Sequence, residues 1–209
     1  MHRILDIHTH RTAPQFEAVV STTPSGFNPV PMQYYSVGIH PWDTIEEVSE
    51  GAWHLLDTDA VRPEIVAIGE CGIDLLKGGP LYRQIQVFKR QIDLSERLKK
   101  PLVIHCVHAH DVIIGIKKDL KPRQNWLIHG FRGKPTIAGM LLDAGMWLSF
   151  GDRFNDASVM LCPLDRMLAE TDDAPVDIHE VITKLSNIRG EDLTKTIAEN
   201  SAAFLTQIE

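Results

Sequence analysis

Short apolar runs that each end on a histidine or an acid, separated by segments of helical length, set the narrowest limits on how this chain can fold. Ile4-Leu5-Asp6-Ile7-His8-Thr9-His10 is the first of them. The pattern returns in Ile65 to Glu70, in Leu102-Val103-Ile104-His105, in Trp126-Leu127-Ile128-His129 and in Met167 to Asp172. Between these runs, residues 81–99 carry Leu81, Ile85, Phe88, Ile92 and Leu98 as an apolar stripe among Arg83, Lys89, Arg90 and Glu96, the period of an amphipathic helix. Pro101 blocks its continuation. Further helices are expected at 44–56, capped by Asp43 or Thr44, and at 111–118, 135–144, 176–188 and 191–208, with another strand at 146–151. Strands alternating with helices imply parallel βαβ units, and runs apolar on both faces suit strands covered on both sides. Seven or eight strands can be counted. The expected fold is therefore α/β, a TIM-like (β/α) barrel forming one domain over residues 1–209, with its site at the C-terminal strand ends where the ionisable residues fall.

The N-terminal part is too brief for the regular pattern. At 209 residues the chain is shorter than the roughly 250 typical of this barrel, and the shortfall lies in residues 11–37. Glu17 to Thr22 could be a short strand, but Pro24-Ser25-Gly26-Phe27-Asn28-Pro29-Val30-Pro31 is too interrupted for a helix. Because a parallel crossover ordinarily needs a dozen or more residues, the barrel is expected to be trimmed of helices here. Val19 and Val20 are then poorly placed for a normal second strand, and the barrel could be incomplete on that side.

Successive strand side chains alternate faces, so Asp6, His8 and His10 project to one side and two imidazoles converge. Taken singly, His8 and His10 could be solvated strand-end histidines, His40 could bond a loop, and Glu70 or Asp172 could cap a helix. Taken together, His8, His10, His105 and His129 with Glu70 and Asp172 would crowd carboxylates and imidazoles into one poorly solvated mouth. Four imidazoles and two carboxylates are a donor set for two divalent ions, and one rich enough in nitrogen to favour zinc, manganese, cobalt or iron over magnesium. Cys71, Cys106 and Cys162 are odd in number and lack CxxC spacing, which suits a reducing compartment. Alternation turns Cys71 and Cys106 away from Glu70 and His105, toward the core. The net charge of −7 offers no diffuse basic surface for extended duplex nucleic acid. No apolar run approaches the roughly 20 residues of a membrane span, and Met1-His2-Arg3 leads directly into a strand, so a cytoplasmic location is expected. Nothing points to a membrane or to an obligate protein partner.

Read in order, the motifs are Asp6-Ile7-His8-Thr9-His10, Val37-Gly38-Ile39-His40-Pro41, Ile68-Gly69-Glu70-Cys71-Gly72-Ile73-Asp74, and Gln84 with Phe88 and Gln91 ahead of Lys100 to His105. Ile128-His129-Gly130-Phe131, Glu170-Thr171-Asp172 with Pro175, and Asn200 complete the series. The set resembles the TatD family of metal-dependent hydrolases, among the amidohydrolase-like metal barrels. The resemblance implies two divalent metal ions (zinc, manganese, magnesium or similar) and deoxyribonuclease-type cleavage of phosphodiesters. It further implies that His8, His10 and Asp172 hold one ion, that His105 and His129 hold the other, and that Glu70 bridges them. Asp172 and Glu70 are then the catalytic residues, Asp172 as general base. DNA that is short or single-stranded is the expected substrate rather than extended duplex. Val107 stands where the family commonly has an arginine, so His40, Arg132 and Arg153 are the candidates for substrate contact. Two other readings stay open. One is hydrolysis of a different phosphoester, an amide or a lactone at the same dinuclear site, and the other is a non-catalytic binding module, against which the intact Asp172 speaks.

Overall fold

The apolar runs pair side by side in sequence order until no sheet edge is left. The computed structural model describes residues 4–11 and 17–206. Its strands are β1 (Asp6–Thr9), β2 (Ala18–Thr22), β3 (Tyr34–Val37), β4 (Ile65–Asp74), β5 (Leu102–Val107), β6 (Trp126–Ile128), β7 (Trp147–Phe150) and β8 (Met167–Ala169). All neighbours are parallel, and Asp6 beside Ala169 closes the barrel between β1 and β8. Around it run α1 (Glu50–Ala60), α2 (Leu81–Leu98), α3 (His110–Leu120), α4 (Pro135–Asp143), α5 (Asp156–Leu161), α6 (Ile178–Arg189) and α7 (Thr194–Leu205). This is a TIM-like (β/α) barrel of eight strands.

The expectation of a gap at the second strand is overturned. Val19 and Val20 lie in β2, which pairs with both β1 and β3. Among the described residues no helix lies between β1 and β3, so the trimming removes helices and spares the strand. Residues 23–33 can make the return alone. Eleven residues reach about 36 Å when extended, against about 17 Å for a five-residue strand.

Two boundaries shift for local reasons. Residues 44–56 are not one helix: Pro41–Thr44 form a tight 3₁₀ turn, and α1 begins only at Glu50, where the Ser49 hydroxyl accepts the Ala52 N–H at 3.2 Å. Ser49 therefore displaces Asp43 and Thr44 as the cap. The last helix starts at Thr194 instead of 191, because Gly190 is left-handed and Thr194 bonds back to Asp192. The expected end of that helix at Ile208, and Met1-His2-Arg3, lie outside the described residues.

Alternation builds two apolar layers. Val103, Leu127 and Leu168 share one cluster with Val19 and Ala67, while their neighbours Ile104, Ile128 and Ala169 join the layer that packs against Phe88 and Ile92 of α2. Cys71 belongs to that outer layer and is buried, with its thiol pushed well up by burial. Burial likewise lifts Cys106, which is half-buried, to about 12. Leu81 departs from its expected stripe and is exposed; Gln84 and Gln91 are buried in its place. No helix among the described residues is long and apolar enough to cross a membrane.

Candidate metal centre

One carboxylate stands at the centre of the barrel mouth. Glu70, on β4, has Oε2 3.1 Å from His10 Nε2 and 3.5 Å from His8 Nε2. Its Oε1 lies 2.8 Å from His129 Nε2, 2.9 Å from His105 Nδ1 and 3.0 Å from His40 Nε2. Asp172 Oδ1 closes the first side, 3.5 Å from His10 Nε2 and 3.7 Å from His8 Nε2. The residues expected at the site thus come together, and each oxygen of Glu70 faces its own group of imidazoles. His40 enters the cluster more intimately than a peripheral contact would. Donor atoms within 4.8 Å of one another occur in the sets His8–His10–Asp172, His8–Glu70–His129, His40–Glu70–His105 and His129–Glu170–Asp172. Any of these could hold an ion, and His105 is grouped with His40 more tightly than with His129.

Backbone geometry sets these positions. Asp172 is left-handed (φ 53°) and pinned on both sides: its N–H donates to the His8 carbonyl at 3.0 Å, and its carbonyl accepts the His10 N–H at 3.0 Å. Thr171 adds a buried clasp, its N–H and hydroxyl donating to Asp6 at 3.0 and 2.6 Å. Gly38, next to the segment that carries His40, sits so close to β4 that a Cβ would lie 2.7 Å from the Glu70 carbonyl oxygen. Gly72 (φ +134°) allows β4 against β5, since a Cβ there would lie 2.1 Å from the His105 carbonyl oxygen.

Several partners carried no assigned role in the sequence. Asp74 Oδ2 lies 3.1 Å from His105 Nε2 and accepts the Trp42 indole N–H at 2.7 Å. Glu170, fully buried, accepts a bond from the Ser149 hydroxyl and lies 3.4 Å from His129 Nδ1. Such outer acceptors orient an imidazole for ligation. The signal was spacing: Asp74 is four residues beyond Glu70, and Glu170 two before Asp172, both on the site-facing parity.

The electrostatics are those of a donor set suited to a cation. His8 is fully buried, and among the described residues neither ring nitrogen has a hydrogen-bond partner. Burial, reinforced by His129, pushes it down to about 3. Burial would raise Glu70, but His129 and its contacts with His10 and His105 hold the carboxyl well below the usual range. Burial opposes charge on His129 as well, yet Glu70 and Glu170 lift it well above the ordinary histidine value. Asp172 is raised, by burial first. An uncharged, unpartnered imidazole beside concentrated carboxylate charge is what a divalent cation satisfies, so the residues suit a metal.

The cluster forms the floor of a cavity of about 1200 Å³ whose walls include Thr22, Trp42, His108, His110, Arg132 and Arg153. Arg132 and Arg153 are exposed on the rim, so both expected cations reach the cavity from loops after β6 and β7.

An eight-stranded parallel barrel with an imidazole and carboxylate cluster at the C-terminal strand ends defines the class of metal-dependent hydrolase barrels. Residues 26–206 match the family described as TatD related DNase, and the chain belongs to that family. It is 32% identical over 148 residues to the uncharacterized metal-dependent hydrolase YabD of Bacillus subtilis, a match covering 66% of this chain and 58% of that protein. It is 26% identical over 193 residues to the 3'-5' ssDNA/RNA exonuclease TatD of Erwinia tasmaniensis, covering 79% and 74%. The crystal structure of YJJV, a TatD homologue from Escherichia coli K12, superimposes with a TM-score of 0.83 at 22% identity over 97% of each chain. The match thus spans less than two thirds of the Bacillus relative.

Proposed function

We propose that the chain hydrolyses phosphodiester bonds of short or single-stranded nucleic acid, DNA first, with two divalent ions in the barrel mouth. The observation that carries the reading is Glu70, whose Oε2 faces His8 and His10 while its Oε1 faces His105 and His129. His8, His10 and Asp172 would hold one ion and His105 and His129 the other, with Glu70 shared between them. When bound, such ions acidify a water toward neutrality and clamp the attacking and leaving oxygens.

The remaining work falls to the chain. Asp172, partly accessible at the cavity floor, takes the proton from the attacking water at a carboxylate oxygen. Asp74 and Glu170 keep the His105 and His129 rings turned toward the centre. Arg132 and Arg153 offer positive charge to flanking phosphates, a role Val107 cannot fill. The nuclease name of the Erwinia relative supports the choice of substrate, and the free cysteines agree with a cytoplasmic setting.

The test is metal content per chain by plasma mass spectrometry, followed by cleavage of a generic phosphodiester and a short single-stranded DNA with and without chelator. Two metals and chelator-sensitive cleavage are expected. Two metals without cleavage would overturn the nuclease reading and turn attention to other phosphoesters, amides or lactones. No metal would overturn the whole scheme.

A further inference from the structure

His40 lies within the donor distances of a third ligand set, with Glu70 and His105, yet its hydrogen bonds separate it from the ligands. The Trp42 backbone N–H donates to His40 Nδ1 at 3.1 Å, as part of the 3₁₀ turn that His40 caps. A ring nitrogen that accepts a hydrogen bond carries no proton, so the proton of this imidazole is on Nε2. Nε2 is the atom that points into the cluster, 3.0 Å from Glu70 Oε1. It reaches the site as an N–H donor. Metal at Nε2 would need that atom bare and the proton moved to Nδ1, directly against the Trp42 N–H.

His105 is arranged the opposite way. Its Nε2 faces the Asp74 carboxylate at 3.1 Å, an acceptor, and so carries a proton. Its Nδ1 faces Glu70 Oε1 at 2.9 Å, where a proton or a cation must stand between the two. A ligating histidine donates its other N–H to an outer acceptor; His105 has that acceptor, and His40 has a donor in its place. The two rings lie 4.5 Å apart in a T-shaped pair, so neighbouring imidazoles meet one oxygen of Glu70 with opposite nitrogens, His40 with its protonated Nε2 and His105 with its Nδ1.

We propose that His40 is a fixed hydrogen-bond donor to a phosphoryl oxygen of the substrate and not a metal ligand. The assignment rests on the phosphodiesterase reading above. His40 lines the cavity and its side chain is 16% accessible, so a substrate oxygen entering above Glu70 can take the Nε2–H. A neutral donor already fixed at the cavity floor needs only to exchange Glu70 Oε1 for an oxygen that gains charge during the reaction. The 3₁₀ turn makes it rigid: Thr44 Oγ1 donates to the Pro41 carbonyl at 2.6 Å, and the Trp42 indole is tied to Asp74 at 2.7 Å.

Two substitutions separate the functions of the ring. Asn at this position keeps an acceptor near Nδ1 for the Trp42 N–H and removes the inward donor, whereas Gln reaches the Nε2 position with an N–H. The full-length His40→Asn, His40→Gln and His105→Ala variants are loaded with Zn²⁺, freed of excess metal and assayed for metal per chain and for hydrolysis of bis(p-nitrophenyl) phosphate. His40→Asn should keep the wild-type metal number while kcat falls on the order of 10²-fold with KM little changed. His40→Gln should recover part of the rate, and His105→Ala should lose metal. In long-range ¹H–¹⁵N spectra of histidine-labelled protein, His40 should show the Nε2–H tautomer before and after Zn²⁺ is added.

Loss of a metal equivalent in His40→Asn, or displacement of the His40 Nε2 signal by Zn²⁺, would overturn the assignment and leave the phosphodiesterase reading standing. Wild-type kcat in a fully loaded His40→Asn variant would also overturn it. Wild-type protein that binds two ions and cleaves no phosphodiester would instead defeat that reading, and the phosphoryl contact with it.

Discussion

Asp172 holds a left-handed backbone that few residues accept, and asparagine is one of them. Asp172→Asn should therefore keep the local geometry and most bound metal while turnover is abolished, which metal analysis and a phosphodiester assay on one preparation will check. Normal turnover would remove Asp172 from the base role. Glu70→Ala should lower metal content on both sides of the cluster, and a variant that still carries two ions would show that Glu70 is not shared. Thr171→Val keeps the shape of the side chain but deprives buried Asp6 of its 2.6 Å partner. It should destabilise the fold by about 1–3 kcal/mol, read by urea denaturation. The inward residues were legible because each closes an apolar run; the parts played by Asp74, Glu170 and the Trp42 N–H were not. Spacing puts Asp74 and Glu170 on the site-facing parity, but a hydrogen-bond direction depends on chain segments brought together in space, and spacing along one strand does not contain it.

Helix α2 acts as a clamp on the strands beside it. Gln91 accepts the Ile39 N–H at 2.8 Å and donates to the Ile39 carbonyl at 3.0 Å, immediately before His40. Gln84 does the same for Asp74, at 2.8 and 2.9 Å. Gln91→Met preserves volume and leaves both Ile39 groups without a partner, so stability should fall by roughly 1–3 kcal/mol for each buried group left unsatisfied. Thermal melts would reveal it, and an unchanged midpoint would mean that the loop finds other partners. The helical period of α2 was plain in the sequence, but the same pattern assigned Leu81 to the buried face and passed over two glutamines. Polarity rules place amides outside; backbone groups in need of partners drew these inside. Helix α5 escaped notice because six residues are too few to show a period. Crossover rules tell against strand β2 because they assume a helix, and among the described residues none lies between β1 and β3.

At the scale of the molecule, the net charge is −7 while Arg132 and Arg153 stand at the cavity. Binding of single-stranded DNA should therefore be local and only weakly salt-dependent. In fluorescence anisotropy with the Asp172→Asn variant, the slope of log K against log salt should be near about −1.4, as for two phosphate contacts. Reversing both arginines to Glu should flatten it. A steep slope in the parent would indicate a longer binding track than the cavity offers. The barrel order was readable because parallel strands advertise themselves as apolar runs; its closure was not, since it rests on contacts such as Thr9 with Asp172, 163 positions apart. That seam between β1 and β8 has a consequence for synthesis. The histidines of the first strand leave the ribosome early, and the aspartate that completes their group follows only when nearly the whole barrel has been translated. A nascent chain then carries the early donors in an unassembled state, and the complete donor set arrives in a single late event, once β8 has docked on β1.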